Sequence, residues 1–568
     1  MKKKNPCPVR KTKKMELKPI ESIALSAGVK KKHLEPCGPY KAKVSPDILK
    51  SSKKKKKKTK YILITSVTPT ILGEGKTLTA IALSMAFKKL KKKAIACIPQ
   101  PSLAGVFGIK GTGTGSGCSR VLPTDSINLH FTGDGRAVEA AHNLCAAYLD
   151  DSIFKGNHFD VNTDSIIWKR VVDVNDRALR NVNIGMGGKS DGVSRKTTFE
   201  LTAASELMAI LTLSQDFNDL RSRIASSTVA FTKKEKPLTC EDMKATGAIS
   251  ALLRDALKPN IVQTIEGTPC FVHTSSKADV SIGGTSVIAD KIALGISDYV
   301  ITETGFGADL GAEKFFDIKC RASGLSPDAA VIVCTTRALK VHSGDFNVTS
   351  KKIPREFFRE NVSAIERGLS NLEKQIENLR TFGVPVVICI NRFNGDSEKE
   401  INAIHRRAAD LGAHSVAVNK AWSDGGEGAV ELAKRVIEAS SVKSTFRFLY
   451  PLDIPITDKI KRIAKTLYGA TEVTYSEEAQ QKMALFKKLK IDNLPICMVK
   501  TPFSLSHNIK KKGRPHSFRL PVDDLYIASG AGYIAAICSH AQAMPGLPSI
   551  SRTAKIDINE NGEIAGLV

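Results

Sequence analysis

A short apolar run that leads through a glycine-containing loop into a helical segment constrains the fold of this chain more than any other feature. Residues 61–66 are mostly apolar or β-branched, which is typical of a buried strand. After Pro69 and two glycines, helix-like apolar spacing begins at Leu78 and continues to Phe87. A strand, a loop and a helix in this order place backbone N–H groups at a helix start, where they can bind phosphate oxygens.

The loop carries the residue types that nucleotide phosphates require. Gly73 and Gly75 allow a tight turn, Lys76 can reach the β- and γ-phosphates, and the Thr77 hydroxyl can hold Mg²⁺. Thr70 stands where the usual G-x-x-x-x-G-K-[ST] pattern has its first glycine. An ordinary strand-to-helix turn is the alternative interpretation. The predicted nucleotide-binding residues are Thr70, Ile71, Leu72, Gly73, Glu74, Gly75, Lys76 and Thr77, with Thr77 as the metal ligand and Lys76 as a catalytic residue.

Strand-like and helix-like segments alternate along the chain beyond this loop. The pattern predicts strands at 94–98, 298–302, 329–335 and 384–390. It predicts helices at 203–214, 243–257, 361–381 and 399–411. Such alternation indicates a parallel sheet covered by helices on both faces.

The length of 568 residues is too great for one hydrophobic core. We predict an α/β fold in which a P-loop NTPase-like parallel-sheet domain at residues 1–375 precedes two smaller α/β domains, at 376–455 and 456–568. A composition shift near Tyr450 and Pro451 marks the last boundary. Residues 1–58 are polar and lysine-rich, and we expect one short helix there, at 20–27.

The formal net charge of +28 arises largely from short lysine runs, at 2–4, 30–32, 53–58, 88–93 and 510–512. These runs lack the interleaved aromatics and arginines that stack bases and grip phosphates, so a nucleic-acid partner is not expected. Solvated lysine faces are the simpler explanation, and attraction of an acidic ligand is the alternative. No apolar run reaches the ~20 residues that cross a bilayer, and no secretory signal is recognisable. We therefore expect a cytoplasmic protein without a membrane partner.

Glycine occupies every second position from Gly111 to Gly117, directly after Lys110. Glycine-rich backbone exposes N–H groups that can surround an oxyanion, and Lys110 would add a positive charge. The alternative is a flexible surface loop.

Taken together, these segments resemble formate–tetrahydrofolate ligase (10-formyltetrahydrofolate synthetase) over residues 17–568. The T-I-L-G-E-G-K-T loop is similar to the family's T-P-L-G-E-G-K-S/T. The longest match is T-G-F-G-A-D-L-G-A-E-K-F-F-D-I-K-C-R at 304–321. The other matching segments lie at 101–103, 106–111, 127–134, 175–180, 337–340, 544–548 and 564–567.

The resemblance implies an enzyme that binds MgATP, formate and tetrahydrofolate and makes 10-formyltetrahydrofolate, ADP and phosphate through formyl phosphate. It implies that Lys76 and Lys110 are catalytic and that Phe393 and Trp422 sandwich the pterin ring. The first predicted domain would then hold nucleotide and formyl phosphate, and the second would contact folate. It further implies activation by a monovalent cation and a homotetramer.

The chain departs from the family pattern around the formyl phosphate. Pro99 replaces the arginine of R-E-P-S-L, Cys118 replaces the tyrosine that ends K-G-G-A-A-G-G-G-Y, and Ile282 replaces a histidine. Arg136, where the family has histidine, and Lys277 are two cations that could compensate. Two alternatives follow. One is a working ligase with an altered formyl-phosphate pocket; the other is a weakened paralogue that binds nucleotide or folate without completing the reaction.

Overall fold

The computed structural model describes residues 17–51, 58–108, 111–188, 190–275, 282, 284–349, 352–538, 544–548 and 552–567. Two sequence-predicted positions, Lys110 and Lys277, lie outside these residues, as do the lysine run at 2–4 and most of the run at 53–58.

The strands of the described residues are short, and their bounds in chain order are as follows. They are β1 (Leu34–Pro36), β2 (Ala42–Val44), β3 (Lys60–Ser66), β4 (Ala94–Ile98), β5 (Gly115–Ser116), β6 (Ser119–Leu122), β7 (Val171–Val172), β8 (Val182–Ile184), β9 (Arg195–Thr197), β10 (Glu200–Leu201), β11 (Thr228–Phe231), β12 (Pro237–Thr239), β13 (Asn260–Thr264), β14 (Pro269–Val272), β15 (Tyr299–Glu303), β16 (Ala329–Cys334), β17 (Val386–Asn391), β18 (Ser415–Asn419), β19 (Glu472–Tyr475), β20 (Ile496–Val499), β21 (Arg519–Val522), β22 (Asp524–Ala528), β23 (Tyr533–Ile537), β24 (Asp557–Ile558) and β25 (Ile564–Ala565).

The helices lie between these strands. They are α1 (Ile20–Ala27), α2 (Ile48–Ser51), α3 (Lys76–Lys89), α4 (Leu103–Val106), α5 (Thr124–Asn128), α6 (Asp134–Phe154), α7 (Glu206–Leu213), α8 (Phe217–Ala225), α9 (Thr246–Leu253), α10 (Val287–Ile296), α11 (Arg321–Ser323), α12 (Thr336–His342), α13 (Val362–Thr381), α14 (Glu398–Asp410), α15 (Ala421–Asp424), α16 (Val430–Ser441), α17 (Ile456–Ile463) and α18 (Glu477–Lys488). Two π-helical stretches, Ala308–Ala312 and Phe315–Cys320, follow β15.

A large, mostly parallel sheet organises the described residues. Its path is β1–β2–β13–β14–β4–β15–β3–β16–β17–β18, and the β5–β6 hairpin adds two strands by pairing with β13. The strands from β14 through β18 on this path are parallel. The strands β1, β2 and β13 pair antiparallel at one edge.

The chain leaves the neighbouring strands β3 and β15 toward opposite edges of the sheet. From β3 the chain passes through α3 to β4, on one side, whereas from β15 it passes to β16, on the other side. Ligands of open α/β sheets bind beyond the carboxyl ends of the strands at such a switch point. The phosphate loop follows β3 and therefore lies at this position.

Apolar side chains alternate between the two faces of β3 and pack against different layers. Ile62 and Ile64 face α3 and α16 in one buried cluster. Tyr61 and Leu63 face the opposite layer, which includes α10, α13 and the π-helical stretches. Helices on both faces explain why the parallel strands are almost continuously apolar.

The predicted α/β class, with a large and mostly parallel sheet, is confirmed. Each predicted strand and helix is present, with ends that differ by a few residues at most; α1 and β4 match their predicted bounds. The expectation of a lone helix before residue 58 was wrong, because a second helix, α2, and the strands β1 and β2 also form, and the strands extend the sheet edge. Residue 375 lies within α13, and β17 and β18 continue the same sheet. The P-loop NTPase-like arrangement and the division at 375 and 455 stay predictions.

No helix of the described residues is both long enough and apolar enough to span a membrane.

Candidate functional site

The phosphate loop has backbone conformations that require glycine. Gly73 and Gly75 have φ angles of 76° and 85°, in the left-handed region that L side chains rarely adopt. A β-carbon on Gly75 would lie 2.3 Å from the Nδ2 atom of Asn391, at the end of β17. That amide group donates a hydrogen bond to the Glu74 carbonyl oxygen at 2.9 Å. Asn391 thus fixes the loop from a neighbouring strand, and a side chain at position 75 would displace it.

Thr70 and Glu74 brace the loop from within. The Thr70 N–H and hydroxyl both donate to Oε1 of Glu74, at 2.7 and 2.9 Å. Burial raises the pKa of Glu74, and these hydrogen bonds and the charge of Lys76 oppose that shift. Because its N–H is already bonded, Thr70 acts as a loop brace rather than a free phosphate donor.

The start of α3 offers N–H groups and a lysine at the switch point. The first hydrogen bond of this helix runs from Thr79 N to the Gly75 carbonyl oxygen, so the preceding N–H groups have no partner within the helix. Lys76 Nζ lies 3.2 Å from the Ser66 hydroxyl at the end of β3. Burial lowers the pKa of Lys76, while the carboxylates of Glu74 and Glu303 oppose that shift. A phosphate at this position would meet both N–H donors and an ammonium group.

Thr77 and Glu303 meet where β3 and β15 end. The Thr77 hydroxyl donates to Oε1 of Glu303 at 2.9 Å. Glu303 is 4% exposed, and its Oε2 atom is buried without a hydrogen-bond partner among the described residues. A hydroxyl beside a carboxylate with an unused oxygen is a donor set of the kind that Mg²⁺ accepts in nucleotide sites. The pair therefore fits a magnesium ion.

The two predicted folate aromatics have different surroundings. Phe393 carries the Arg337 guanidinium over its ring, with 4.0 Å between Cζ and the ring centroid. Trp422 is 47% exposed, and its carbonyl oxygen accepts a hydrogen bond from Cys118 N at 2.9 Å. Among the described residues, the two rings do not stack on each other. Their roles stay predictions, as do those of the loop residues.

The glycine run is more ordered than a flexible loop. Gly115 and Ser116 pair with the strand β6, and Gly117 turns the hairpin against Trp422. The N–H groups of Gly111 and Gly113 donate to the Gly105 carbonyl oxygen and to Oδ1 of Asn128. Both N–H groups are therefore used within the protein, contrary to the expectation that they surround an oxyanion.

A small polar cavity lies beyond β4, close to the altered position Pro99. Three buried polar atoms of its lining have no partner among the described residues: Gln100 Oε1, Asp173 Oδ1 and Ser275 Oγ. Burial raises the pKa of Asp173 to about 6, although its other oxygen accepts from Leu103 N at 3.1 Å. Unsatisfied polar atoms in a cavity favour a polar ligand, because burying them unpaired is costly.

The cavity contains one of the two compensating cations. Arg136 lines it and pairs with Glu139 at 3.0 Å. The substituted positions Pro99, Cys118 and Ile282 are all buried.

His273 is also buried; one ring nitrogen contacts Ser286 Oγ and the other contacts the Ala256 carbonyl oxygen. Burial lowers the pKa of His273 to about 4, so we assign it a structural role.

The structure adds three residues that the sequence did not assign to the nucleotide site. Ser66 contacts Lys76, Asn391 holds the loop, and Glu303 contacts Thr77. Each of the three is the last residue of a strand in the predicted parallel sheet. That position at a strand end was the only sequence feature that could have identified them. The order of the strands decides which ends are neighbours, and the sequence does not contain that order in readable form.

Comparison with known proteins gives one consistent result. A family profile described as formate–tetrahydrofolate ligase matches residues 8–568. The chain is also 44% identical over 566 residues to the formate–tetrahydrofolate ligase of Desulforamulus reducens, and the match covers 100% of both chains. The chain therefore belongs to the formate–tetrahydrofolate ligase family.

Proposed function

We propose that the protein joins formate to tetrahydrofolate at the expense of ATP, with formyl phosphate as the intermediate. The observation that carries this proposal is the convergence of Lys76, Thr77 and Glu303 at the switch point of the sheet. Membership of a ligase family supports the choice of substrates.

ATP would bind with its β- and γ-phosphates on residues 70–77. The N–H groups at the start of α3 and the Lys76 ammonium would offset the phosphate charge, and Lys76 would stabilise the phosphoryl group as it transfers. Thr70 and Glu74 would keep the loop in its binding conformation before ATP arrives.

Thr77 and Glu303 would hold the magnesium ion of MgATP. The ion, when bound, supplies positive charge that neutralises the β- and γ-phosphate oxygens. The described residues contain no cluster of three or more histidine, cysteine or carboxylate side chains that would form a separate metal site.

The proposed reaction has two steps, phosphoryl transfer to formate and then formyl transfer to tetrahydrofolate. A formate oxygen attacks the γ-phosphorus, the bond to the β–γ bridging oxygen breaks, and ADP leaves. N10 of tetrahydrofolate then attacks the carbonyl carbon of formyl phosphate. The carbon–oxygen bond to phosphate breaks, phosphate leaves with the formate oxygen, and N10 loses its proton.

Phe393 and Trp422 would bind the pterin ring of tetrahydrofolate by aromatic contact. The exposed ring of Trp422 is free for such a contact on its solvent side. Lys110, which directly precedes the glycine run in the sequence, would help to hold the acyl phosphate by its positive charge. Activation by a monovalent cation and assembly into a homotetramer remain proposals from the family resemblance, and light scattering of the purified protein tests the second.

The direct test is formation of 10-formyltetrahydrofolate from formate, MgATP and tetrahydrofolate. We expect product with the wild-type protein and a loss of about 100-fold or more in kcat for Lys76→Ala. Lys89→Ala, at the far end of the same helix, is the matched control and should retain activity. ATP binding without product in the wild-type protein would instead indicate the weakened paralogue and would reject the ligase proposal.

A further inference from the structure

An arginine from the last residues of the chain lies directly on the glycine run. A β-carbon built on Gly111 would stand 2.6 Å from Nη2 and 2.9 Å from Cζ of Arg552. The guanidinium therefore fills the space in front of Gly111, the residue that follows Lys110 in the chain. With a φ of 73°, Gly111 permits both the turn and this close approach.

The C-terminal segment is held on both sides of Arg552. Before it, the Met544 carbonyl oxygen accepts from Nε of Arg180 at 2.8 Å. After it, β24 and β25 form a hairpin, and Nη1 of Arg552 donates to the Leu567 carbonyl oxygen at 3.3 Å. Among the described residues, backbone contacts of this segment, and no carboxylate, therefore set the position of the guanidinium.

The guanidinium of Arg552 donates to a backbone carbonyl oxygen and has no aspartate or glutamate partner among the described residues. By contrast, Arg136, the cation that lines the cavity, pairs with Glu139 at 3.0 Å. The glycine run meanwhile uses the N–H groups of Gly111 and Gly113 internally. An anion in front of Gly111 would therefore meet the Arg552 guanidinium rather than the N–H groups of Gly111 and Gly113.

We propose that Arg552 binds a phosphoryl oxygen of formyl phosphate at the glycine run. It would replace the positive charge that the family pattern places where this chain has Pro99. A guanidinium suits this role, because its planar donors bind phosphate oxygens in pairs and stay charged at all working pH values. The inference rests on the proposed function, since it assigns the acyl phosphate to this loop.

A stable acyl phosphate tests the inference without turnover. Carbamoyl phosphate, in which an amino group replaces the formyl hydrogen, is titrated calorimetrically into the full-length protein. The variants are Arg552→Gln, which removes the charge, and Arg552→Lys, which keeps it. Lys555→Gln is the matched control, because Lys555 is an exposed cation of the same segment. Melting temperatures of all variants are measured alongside.

We expect Arg552→Gln to raise the Kd for carbamoyl phosphate about tenfold or more, Arg552→Lys to raise it less, and Lys555→Gln to leave it unchanged. The KM for formate should rise in the same order, with the KM for ATP unchanged. An unaltered Kd in Arg552→Gln would overturn the inference. Equal losses in the Gln and Lys variants together with lower melting temperatures would also overturn it, since they indicate a structural contact only.

Failure of the inference and failure of the proposed function give different results. Product formation with a normal KM for formate in Arg552→Gln would reject the role of Arg552 and keep the ligase. Absence of product in the wild-type protein, with charge-dependent binding of carbamoyl phosphate, would reject the ligase and keep the anion site.

Discussion

The two carboxylate oxygens of Glu303 have different surroundings. Oε1 accepts the Thr77 hydroxyl, whereas Oε2 is buried without a partner among the described residues. Leaving a carboxylate oxygen buried and unpaired costs free energy, which a bound cation or its water would recover. Glu303 is therefore the residue whose surroundings most directly indicate a magnesium site.

We predict that Glu303→Gln weakens the Mg²⁺-dependent part of ATP binding by about 10- to 100-fold, because it removes charge but keeps an oxygen for Thr77. Calorimetric titration of ATP with Mg²⁺ and with EDTA measures this part. ATP affinity in EDTA should change little or improve.

Glu313→Gln is the control for the loss of a buried glutamate. Burial raises the pKa of Glu313 well above its usual value, which favours the neutral acid, and the amide resembles that form. If Mg²⁺ raises the ATP affinity of Glu303→Gln as much as that of the wild-type protein, Glu303 does not bind the cation.

Candidate site residues could be predicted from the sequence only where they lie next to one another in the chain. Lys76 and Thr77 follow the loop glycines directly, so the motif identifies them. Glu303 meets Thr77 across 226 positions of sequence. Its contact depends on β15 lying beside β3, which the residue pattern does not specify.

Among the elements, the helices α12 and α13 approach each other unusually closely. A β-carbon on Gly368 of α13 would lie 2.1 Å from the Leu339 carbonyl oxygen of α12. The same helix α12 carries Arg337, which lies on the Phe393 ring. The helix contact thus helps to position a residue at the predicted folate aromatic.

We expect Gly368→Ala to destabilise the protein by about 1–3 kcal/mol, because a methyl group there must push the two helices apart. Thermal unfolding followed by circular dichroism measures the change. Gly247→Ala is the matched control in helix α9, where a β-carbon would contact nothing within 4 Å. There the substitution should be neutral or slightly stabilising. Equal melting temperatures for both variants would show that α12 and α13 separate at little cost.

Elements with a strong period were predictable, and elements defined by distant partners were not. The apolar period at 361–381 gave α13, and Asn361 caps it by accepting from Ala364 N. The β5–β6 hairpin was missed because glycine carries no pattern, and its order comes from contacts with Asn128 and Trp422. The edge strands β1 and β2 are three residues each, too short for a period.

At the scale of the whole molecule, Glu206 joins the sheet layer to the C-terminal part. Its Oε1 accepts from Gly530 N at 2.7 Å and from Ala531 N at 3.2 Å. Burial raises the pKa of Glu206 to about 7, although these two hydrogen bonds oppose the shift. The folded protein therefore retains a proton that the unfolded chain releases near its usual pKa of 4.5.

A raised folded-state pKa stabilises the protein below the unfolded pKa, and this contribution is lost as the pH rises through about 7. We predict that Glu206→Gln, which mimics the protonated acid, is as stable as wild type at pH 4 and more stable at pH 8. The gain is at most about 3 kcal/mol. Melting temperatures across this range measure it, and a constant difference between the two proteins would contradict the assignment.

The fate of the formate oxygens tests the central claim most directly. Formate carrying ¹⁸O in both positions is supplied with MgATP and tetrahydrofolate, and the inorganic phosphate is analysed by mass spectrometry. Activation through formyl phosphate predicts one ¹⁸O atom in each phosphate released and one in the formyl group. Turnover that yields phosphate without ¹⁸O, or no turnover at all, would contradict the account.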